Sequence, residues 1–545
     1  MTIRHPDYVG FWDTAEKTMQ NSPSSLPSYP LLADAKLLVE QEEYERAASL
    51  LIKHVKRHPK EPRGLAQLGF VAMQLGALNQ ADEFLRRAIA NGARDVDVKR
   101  NLTGVIIKQE RTGLALQMVD ALYRETQDHT FRGLYANLLE KIGKNDEALA
   151  IQEQVCDQHP EFAPAWLAYG HYLRAAGRVD DAIKAYRHAI ELEPIFGDAW
   201  WGLASIKRPV LSDDDVFAMQ SALNEAKDVG HSAPLNFALG RAHHDRREYQ
   251  TAFLHYEEGN RLRAQDMRYD SKELSSEVEE IERTANADFI SRMPNVSVGQ
   301  EMPVFIVSLP RSGSTLLEQM LGSHSDIEPV GELPYIPAIL RTYMEGITRQ
   351  RRITVTQAIA EMDDRMAIAM GQDYLQRTAL HRTSDRLFFI DKLPQNWSNV
   401  LFIRRILPQA RFIDIRRPAM DCCFSNFTQS FTQIHAASFA LRDVGQNYVD
   451  NVRLMSHLDR VAPGLVHHVD YEVLVEDAQS QLRPALDYLG LDWDDAILNF
   501  HRHERVIRTP SSEQVRRPLN RDGMAVWEPY SQWLGPLRDT LGELA

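Results

Sequence analysis

The stretch from Phe305 to Leu317 reads Phe-Ile-Val-Ser-Leu-Pro-Arg-Ser-Gly-Ser-Thr-Leu-Leu. It predicts a buried β-strand, a tight turn that contains glycine, and the start of an α-helix. Such a turn directs backbone N–H groups and the positive end of the helix dipole toward one point, which favours an anion there. Arg311 adds a positive charge at the turn. Ser312, Ser314 and Thr315 add hydroxyl donors, so the pattern predicts a phosphate- or sulfate-binding loop for a nucleotide-like ligand.

A nucleoside-triphosphate loop is one alternative for this motif. Its signature needs a second glycine upstream and a Gly-Lys-Ser/Thr ending whose lysine reaches the β- and γ-phosphates. This stretch has neither feature. We therefore expect a ligand with a single 5′-phosphate position rather than a triphosphate with Mg²⁺. Short Gly/Ser motifs also arise by chance, so an ordinary strand, turn and helix without a ligand is a second alternative for the motif alone.

The composition of the 545-residue chain disfavours several classes of function. The net charge of −14 argues against a general nucleic-acid binder. Three cysteines, at Cys156, Cys422 and Cys423, are too few for a disulfide framework and lack zinc-binding spacing, so we expect no metal site. The N-terminus has no apolar signal segment and no run of about 18 apolar residues occurs, so we expect a cytoplasmic protein.

The first half of the chain has a period of 34 residues. A fixed period of about 20 to 50 residues indicates a repeat architecture. The small and apolar residues of this pattern resemble those of the tetratricopeptide repeat, in which paired helices approach closely. The period continues over roughly residues 28–266, which predicts about seven repeats in an all-α superhelix. The matched positions that set the frame are Trp166 and Trp200, Tyr169 and Leu203, and Gly170 and Ala204.

A superhelical array presents a concave surface, and such surfaces commonly bind peptide segments or partner proteins. We expect a peptide or protein partner there, with a role in dimerisation or packing as the alternative. We expect residues 1–27 to be an N-terminal extension before the array and residues 267–302 to be a charged helical connector after it. We expect residues 303–545 to form a further domain. The sequence leaves the oligomeric state open.

Strand and helix patterns alternate after residue 303. This alternation predicts an α/β domain with a parallel sheet, in which ligands bind beyond the carboxyl ends of the strands. We expect a helical insertion over residues 341–386. The predicted strands are Val304–Ser308, Leu387–Asp391, Arg411–Ile415 and Leu465–Val469.

Four clusters of cations and hydroxyls lie in this second half, three of them directly after predicted strands. Each cation alone has an ordinary alternative, because Lys392 could be solvated and Arg417 could pair with Asp414 or Asp421. Taken together, the clusters favour a ligand with two separated anionic groups. They are the turn at Arg311, Lys392, Arg417 with Ser425, and the segment Arg508–Pro518.

These clusters together resemble the sulfotransferase family. The arrangement is similar to the bacterial branch with an N-terminal tetratricopeptide array, and the second half is similar to protein-tyrosine sulfotransferases. The resemblance implies a P-loop-like fold, the donor 3′-phosphoadenosine 5′-phosphosulfate, the product adenosine 3′,5′-bisphosphate, and no metal. The most specific blocks are Pro310–Thr315, Gly331-Glu332, Asp391–Pro394 and Arg416–Pro418.

The resemblance also implies roles for single residues. The loop that begins at Arg311 holds the 5′-phosphosulfate, and Arg417 with Ser425 holds the 3′-phosphate. Lys392 contacts the bridging oxygen and Ser511 assists it. The implied donor-binding residues are Arg311, Ser312, Gly313, Ser314, Thr315, Arg417, Ser425, Tyr471 and Arg517, and the implied catalytic residues are Arg311, Glu332, Lys392 and Ser511.

Glu332 is the residue that we expect to act as general base, because it follows the first helix of the domain after one short loop. A surface glutamate is the alternative. Protein-tyrosine sulfotransferases carry two consecutive glutamates here and use the second, whereas this chain has Glu332-Leu333. Leu393 also stands where those enzymes have an acidic residue. Both departures leave the base and a tyrosine acceptor open, and His324 is the second candidate base.

The sequence thus predicts an enzyme that moves a sulfuryl group to an acceptor hydroxyl by in-line displacement, mainly through positioning and electrostatic stabilisation. The repeat array would present a peptide or protein acceptor. The sequence does not distinguish a tyrosine from a sugar, lipid or small-molecule hydroxyl. One alternative is a repeat scaffold with a nucleotide-binding but non-catalytic second domain. A phosphoryl transferase is another, which the absent loop lysine disfavours.

Overall fold

The computed structural model describes residues 29–265, 267, 269–291, 293, 298–348, 351–431, 433–502 and 515–545. Within these ranges every helix is too short or too polar to span a lipid bilayer. The described part of the first half consists of helical hairpins, which confirms the predicted repeat array. The paired helices are α1 Pro30–Glu40 and α2 Tyr44–Arg57, α3 Pro62–Gln74 and α4 Leu78–Ala90, α5 Val96–Lys108 and α6 Thr112–Thr126, α7 His129–Lys141 and α8 Asn145–Gln158, α9 Ala163–Ala175 and α10 Val179–Leu192, α11 Gly197–Ala204 and α12 Asp213–Glu225, and α13 Val229–Asp245 and α14 Tyr249–Gln265.

Small residues explain the close approach of the two helices within a hairpin. A Cβ atom added at Gly170 would lie 2.4 Å from the ring of Tyr186. A Cβ atom added at Gly240 would lie 2.7 Å from the ring of Tyr256. Both distances are far below van der Waals contact, so a larger residue at these positions would separate the paired helices. The glycines of the repeat pattern are therefore packing residues.

The second half contains a five-stranded parallel sheet with the order β2-β3-β1-β4-β5. The central strand β1 is apolar and buried on both faces, as expected for a parallel sheet covered by helices. Its register places Val304 opposite Ile390 of β3 and Arg411 of β4. This confirms the predicted α/β domain. The strands are β1 Met302–Val307, β2 Ile327–Gly331, β3 Phe388–Asp391, β4 Arg411–Arg416 and β5 Val466–Asp470.

Helices surround this sheet and form its two apolar layers. On one face, Ile306 packs in a buried cluster with Leu317 and Ile413. On the other face, the ring of Phe305 stacks on that of Phe412 at a centroid distance of 5.8 Å. The helices of the second half of the chain are α15 Ser271–Thr284, α16 Ala287–Ser291, α17 Ser314–Leu321, α18 Tyr335–Thr348, α19 Val355–Glu361, α20 Asp364–Thr378, α21 Val400–Ile406, α22 Ala419–Phe427, α23 Leu441–Val461, α24 Tyr471–Glu476, α25 Ala478–Leu489 and α26 Gly535–Leu541. Short 3₁₀ segments cover Pro394–Asn399, Gln433–Phe439, Asp495–Arg502, Glu528–Trp533 and Gly542–Leu544.

Strand β2 is absent from the sequence prediction. The sequence predicts only a short loop between the first helix and Glu332, whereas the structure has β2 there; Pro329 is tolerated because β2 lies at the edge of the sheet. The four predicted strands are present, and their ends lie within two residues of the predicted ones. Both Cys422 and Cys423 are buried in α22, as small apolar residues would be.

The described chain divides into two compact units. One unit contains the chain up to Val155 together with Pro337–Ile353, and the other contains Cys156–Ile336 and Thr354–Ala545. Within the first unit, the carboxylate of Glu345 accepts a hydrogen bond from the backbone N–H of Asn79 at 3.0 Å. Asn79 lies in the first turn of α4, whose own N-cap residue provides no side-chain hydrogen bond. Most of α18 therefore belongs with the first repeats, although it follows β2 in the chain.

Candidate active site

The turn after β1 has the backbone conformation of an anion-binding loop. Arg311 and Gly313 have positive φ angles of 67° and 96°, and α17 begins at the next residue, Ser314. A Cβ atom at position 313 would lie 2.2 Å from the ring of Tyr471. Only glycine therefore fits at this position, both for its backbone angle and for space. The loop places N–H groups at the N-terminus of α17, as the sequence predicted.

The turns after β1 and β4 meet through two arginines. Nη1 of Arg417 donates a hydrogen bond to the backbone carbonyl of Arg311 at 2.9 Å. Nε of Arg311 donates to the hydroxyl of Ser425 at 3.1 Å. β1 and β4 are adjacent strands whose following connections run to opposite sides of the sheet, so the two turns lie at the topological switch point where α/β sheets bind ligands.

The two guanidinium groups are electrostatically coupled. Arg417 is buried, and Arg311 is partly exposed because it lines a cavity. Loss of hydration, together with the neighbouring charge of Arg417, lowers the pKa of Arg311 to about 10. Asp421 is the carboxylate next to Arg417, with 3.5 Å between Oδ1 and Nη2. Nε of Arg417 is buried without a hydrogen-bond partner among the described residues. The pair of turns is therefore a site of concentrated positive charge.

Other residues hold Arg417 in place. Its guanidinium lies over the ring of Tyr471, 5.4 Å from the centroid. Its backbone carbonyl accepts a hydrogen bond from the hydroxyl of Tyr448 at 2.8 Å, and Nη2 donates to the carbonyl of Gly523. The neighbouring Arg416 instead pairs with Asp414 at 3.0 Å. Of the two carboxylates considered from the sequence, Asp421 is thus the partner of Arg417.

A cavity of about 310 Å³ opens beside these arginines. Eight of the nine predicted donor-binding residues line it. The ninth, Ser312, is buried instead, and its hydroxyl lies 3.3 Å from Sγ of Cys422. The eight that line the cavity are Arg311, Gly313, Ser314, Thr315, Arg417, Ser425, Tyr471 and Arg517.

Lys392 lies directly after β3, which borders β1 on the side opposite β4. Its side chain is only 1% exposed. Its Nζ contacts Oε1 of Glu332 and lies 3.9 Å from Oε2 of Glu318. Burial by itself lowers the pKa of Lys392, but the two carboxylates outweigh burial and raise the pKa, so the side chain remains an ammonium. The side chain of Glu332 is 43% exposed. Lys392 and Glu332 form an ion pair and do not line the cavity described above.

Comparisons with known proteins agree with this geometry. Residues 303–495 match the sulfotransferase family. Residues 163–206 match the tetratricopeptide repeat. An uncharacterized protein from Aquifex aeolicus is 29% identical over 61% of this chain and 44% of its own length. A protein-tyrosine sulfotransferase from Drosophila melanogaster is 27% identical over 47% of this chain and 52% of its own length.

This chain therefore matches about half the length of each of these two relatives. Among solved structures, the sulfotransferase domain of the Synechococcus PCC 7002 olefin synthase is 22% identical. The match covers 44% of this chain and 98% of that domain, with a TM-score of 0.28.

Two acidic residues to which the sequence analysis assigned no role lie close to Lys392. Glu318 is 4% exposed and lies on α17, which is buried along its whole length. Asp391 is fully buried, which raises its pKa to about 8, although the Tyr374 hydroxyl donates to its Oδ2 at 2.9 Å. Because the carboxyl of Asp391 keeps its proton at pH 7, Glu332 and Glu318 are the charged partners of Lys392. An acidic residue inside an apolar helix or at a strand end was the available signal.

His435 is a third residue that the sequence did not indicate. Its ring lies against the amide of Gln395, with 3.1 Å between Nε2 of Gln395 and Nδ1 of His435. Burial lowers the pKa of His435 to about 4, and the nearby charge of Glu332 opposes this shift only partly. His435 is therefore a neutral imidazole near the carboxylate of Glu332 at pH 7.

The structure bears on three alternatives that the sequence left open. His324, the second candidate base, is 3% exposed and has both ring nitrogens engaged. Nδ1 accepts from the N–H of Asp326 at 3.0 Å, so Nε2 donates to the carbonyl of Asp492 at 2.9 Å, and the ring holds two segments together. Lys392 is buried rather than solvated. Arg417 does not pair with Asp414, which binds Arg416.

Two of the predicted site residues, Ser511 and Arg517, lie near the C-terminus. Ser511 lies outside the described residues. Arg517 lines the cavity but is 52% exposed, and it pairs with Asp522 at 2.9 Å. A solvated ion pair of this kind contributes little stability, so Arg517 can exchange Asp522 for an anionic ligand at small cost.

Proposed function

We propose that this chain is a sulfotransferase that moves a sulfuryl group from 3′-phosphoadenosine 5′-phosphosulfate to an acceptor hydroxyl. The observation that carries the proposal is the convergence of Arg311 and Arg417 on one cavity beside an anion-binding loop. Two guanidinium groups and a helix N-terminus suit a ligand with two anionic ends. The match of residues 303–495 to the sulfotransferase family supports this chemistry.

The residues of the cavity fit the charges of this donor. The loop from Arg311 to Thr315 would hold the 5′-phosphosulfate through backbone N–H groups and hydroxyls, while Arg417 and Ser425 would hold the 3′-phosphate. The buried Nε–H of Arg417 lacks a hydrogen-bond partner among the described residues, which a phosphate oxygen would provide. When bound, the donor supplies an activated sulfuryl group that is joined to the 5′-phosphate through the bridging oxygen.

Lys392 and Glu332 would act as one unit in the transfer. Oε1 of Glu332 covers the ammonium of Lys392, so the pair has to open before the ammonium reaches the bridging oxygen. When a carboxylate oxygen of Glu332 takes the proton from the acceptor hydroxyl, Glu332 loses its negative charge. Its ion pair with Lys392 is then broken. The ammonium then becomes available to stabilise negative charge on the leaving phosphate. Proton acceptance and leaving-group stabilisation are thereby coupled.

The acceptor that we propose is a hydroxyl on a peptide or protein held by the repeat array. Tetratricopeptide arrays commonly bind peptides, and the relatives include proteins named protein-tyrosine sulfotransferases. Leu333 stands where the tyrosine enzymes carry their catalytic glutamate, so the proposal extends to hydroxyls other than tyrosine.

Calorimetry with adenosine 3′,5′-bisphosphate tests the donor site. We expect Arg417→Ala to lose about 1.5–3 kcal/mol of binding free energy, the scale of a hydrogen bond to a charged group. Arg416→Ala is the matched control, because Arg416 belongs to the same turn but pairs with Asp414 and does not line the cavity. It should bind as the unchanged protein does. Equal affinity of Arg417→Ala and the unchanged protein would exclude the 3′-phosphate assignment.

Adenosine 5′-monophosphate separates loss of the phosphate contact from general damage. This ligand lacks the 3′-phosphate, so Arg417→Ala should weaken its binding much less than that of the bisphosphate. A similar loss for both ligands would mean that the substitution disturbs the turn itself, through the hydrogen bonds to Arg311 and Gly523.

A further inference from the structure

Part of the cavity wall comes from the repeat array and not from the sulfotransferase domain. Trp201 lies on α11 and Lys207 follows that helix, whereas Arg241 and His244 lie on α13. All of them line the same cavity as Arg311. The match to the sulfotransferase family does not include these residues, because it begins at residue 303.

This part of the array is fixed to the sulfotransferase domain. The buried amide of Asn260, on α14, donates to the backbone carbonyl of Phe427 at 2.8 Å. The ring of Phe253 stacks on that of Phe427 at a centroid distance of 5.9 Å. Repeats and sheet here belong to one compact unit, which contains Cys156–Ile336. The repeat side chains are therefore a permanent wall of the cavity.

The charges of the wall suit an anionic ligand. Five basic and two acidic residues line the cavity, in a chain with a net charge of −14, and two of the five basic residues belong to the array. Asp245 pairs with Arg241 at 3.0 Å, but Asp245 does not line the cavity. The five basic residues are Lys207, Arg241, Arg311, Arg417 and Arg517, and the two acidic ones are Asp421 and Asp522.

Two aromatic contacts shape this wall. His244 pairs with the Tyr530 hydroxyl at 2.7 Å, and its ring is stacked on that of Tyr530. Burial and the charge of Arg241 lower the pKa of His244, so the imidazole is neutral at pH 7. Trp201 packs edge to face against Phe237 at 5.9 Å and is partly exposed where it lines the cavity. An indole beside cations provides a stacking surface for a nucleobase.

We infer that the last repeats form part of the donor site, with Lys207 and Arg241 binding the phosphates and Trp201 contacting the adenine of a nucleoside bisphosphate. This inference rests on the proposed function, because it concerns the same donor. It assigns to the array a role in donor binding in addition to any role in acceptor binding. The cavity is then complete only when the array and the sulfotransferase domain are joined in one chain.

Calorimetry on the full chain with adenosine 3′,5′-bisphosphate tests the inference. Lys207→Met should weaken binding about tenfold or more, as expected for loss of a charged hydrogen bond. Lys207→Arg should retain most of the affinity because it keeps the charge. Trp201→Ala should weaken binding about fivefold or more. Lys184→Met is the matched control, because Lys184 is 79% exposed on α10 and does not line the cavity.

The outcomes distinguish this inference from the proposed function. If Lys207→Met and Trp201→Ala bind as tightly as the unchanged protein while Arg417→Ala does not, the repeats do not bind the donor and the inference is wrong. If the unchanged protein itself fails to bind the bisphosphate, the proposed function is wrong as well. If Lys207→Met loses affinity and Lys207→Arg retains it, a direct contact between the ligand and the positive charge is supported. A folding defect would not depend on whether the new side chain is charged.

Discussion

Arg417 donates a hydrogen bond to the backbone carbonyl of Arg311 at 2.9 Å, across 106 residues of sequence. The contact brings two positive charges together in a partly dehydrated site, and the pKa of Arg311 falls to about 10 as a result of lost hydration and of Arg417. An anionic ligand relieves both effects. The two arginines repel each other in the free protein, and a bound anion reduces this repulsion, which adds to the affinity for the ligand.

Ligand binding should therefore raise the pKa of Arg311 and take up protons at high pH. Because the pKa of Arg311 is lowered in the free protein, binding of adenosine 3′,5′-bisphosphate should take up protons near pH 10 and almost none at pH 7.5. Calorimetry in two buffers with different ionisation enthalpies measures this uptake. Arg311→Gln should abolish the uptake, and equal binding enthalpies in the two buffers at pH 10 would contradict the coupling.

Replacement of Lys392 separates an enzyme from a nucleotide-binding scaffold. Lys392→Met keeps the length of the side chain but removes the ammonium, so turnover of the donor should fall about a hundredfold or more. Affinity for adenosine 3′,5′-bisphosphate should change less than about threefold, since Lys392 does not line the cavity. Release of the bisphosphate from the sulfated donor, with an acceptor that supports turnover, is the measurement. Retained turnover would favour the scaffold.

A stability control belongs with this substitution. Without Lys392, the buried carboxylate of Glu318 loses the cation 3.9 Å away, and breaking a buried pair on one side costs about 3–5 kcal/mol. The melting temperature of Lys392→Met should therefore fall. Adding Glu318→Gln removes the buried charge and should restore much of the melting temperature. Turnover should stay low in the double variant, which separates chemistry from stability.

Gly313→Ala tests the anion-binding loop. The φ angle of 96° strains any other residue, and a Cβ atom would lie 2.2 Å from the ring of Tyr471. We expect affinity for adenosine 3′,5′-bisphosphate to fall about tenfold or more, with a loss of stability of a few kcal/mol. Gly490→Ala is the control, because its φ angle is 75° but a Cβ atom there meets nothing within 4 Å. It should lose stability and keep its affinity.

Much of the candidate site could be predicted from the sequence, because its residues follow strands that share one edge of a parallel sheet. The glycine turn, Arg417 and Ser425 were found in this way. Lys392 was also identified from the sequence, but the burial of its side chain was not predicted. The carboxylates around it come from α17 and from the end of β2, and no local pattern shows that these segments meet.

The packing of distant segments explains the remaining differences. β2 contains proline and glycine and resembles a turn until its place at the sheet edge is known. α18 has a helical pattern that fits the second half of the chain, yet its partner Asn79 lies in the second hairpin of the array. The repeat period predicted the hairpins themselves, but not that Lys207 and Arg241 would line the same cavity as Arg417.

The raised pKa of Asp391 predicts a pH dependence of stability. Because burial raises this pKa from its ordinary value to about 8, the folded state holds a proton that the unfolded chain releases near pH 4. The stabilisation is complete below about pH 4, decreases as the pH rises from about 4 to 8, and is absent above that range. The melting temperature should therefore fall between about pH 5 and pH 8, and less so in Asp391→Asn. The control substitution Asp539→Asn, at an exposed position, should leave the pH dependence of the melting temperature unchanged.

Glu332 and Lys392 act as one unit if the proposed mechanism is correct. Glu332→Gln removes the proton acceptor, and turnover should fall about 10²- to 10⁴-fold while affinity for adenosine 3′,5′-bisphosphate stays the same. Because the ammonium of Lys392 is released by proton transfer to Glu332, adding Glu332→Gln to Lys392→Met should cause little further loss. Steady-state rates of the two single variants and the double variant complete the cycle. Losses that multiply would mean that the two side chains work independently.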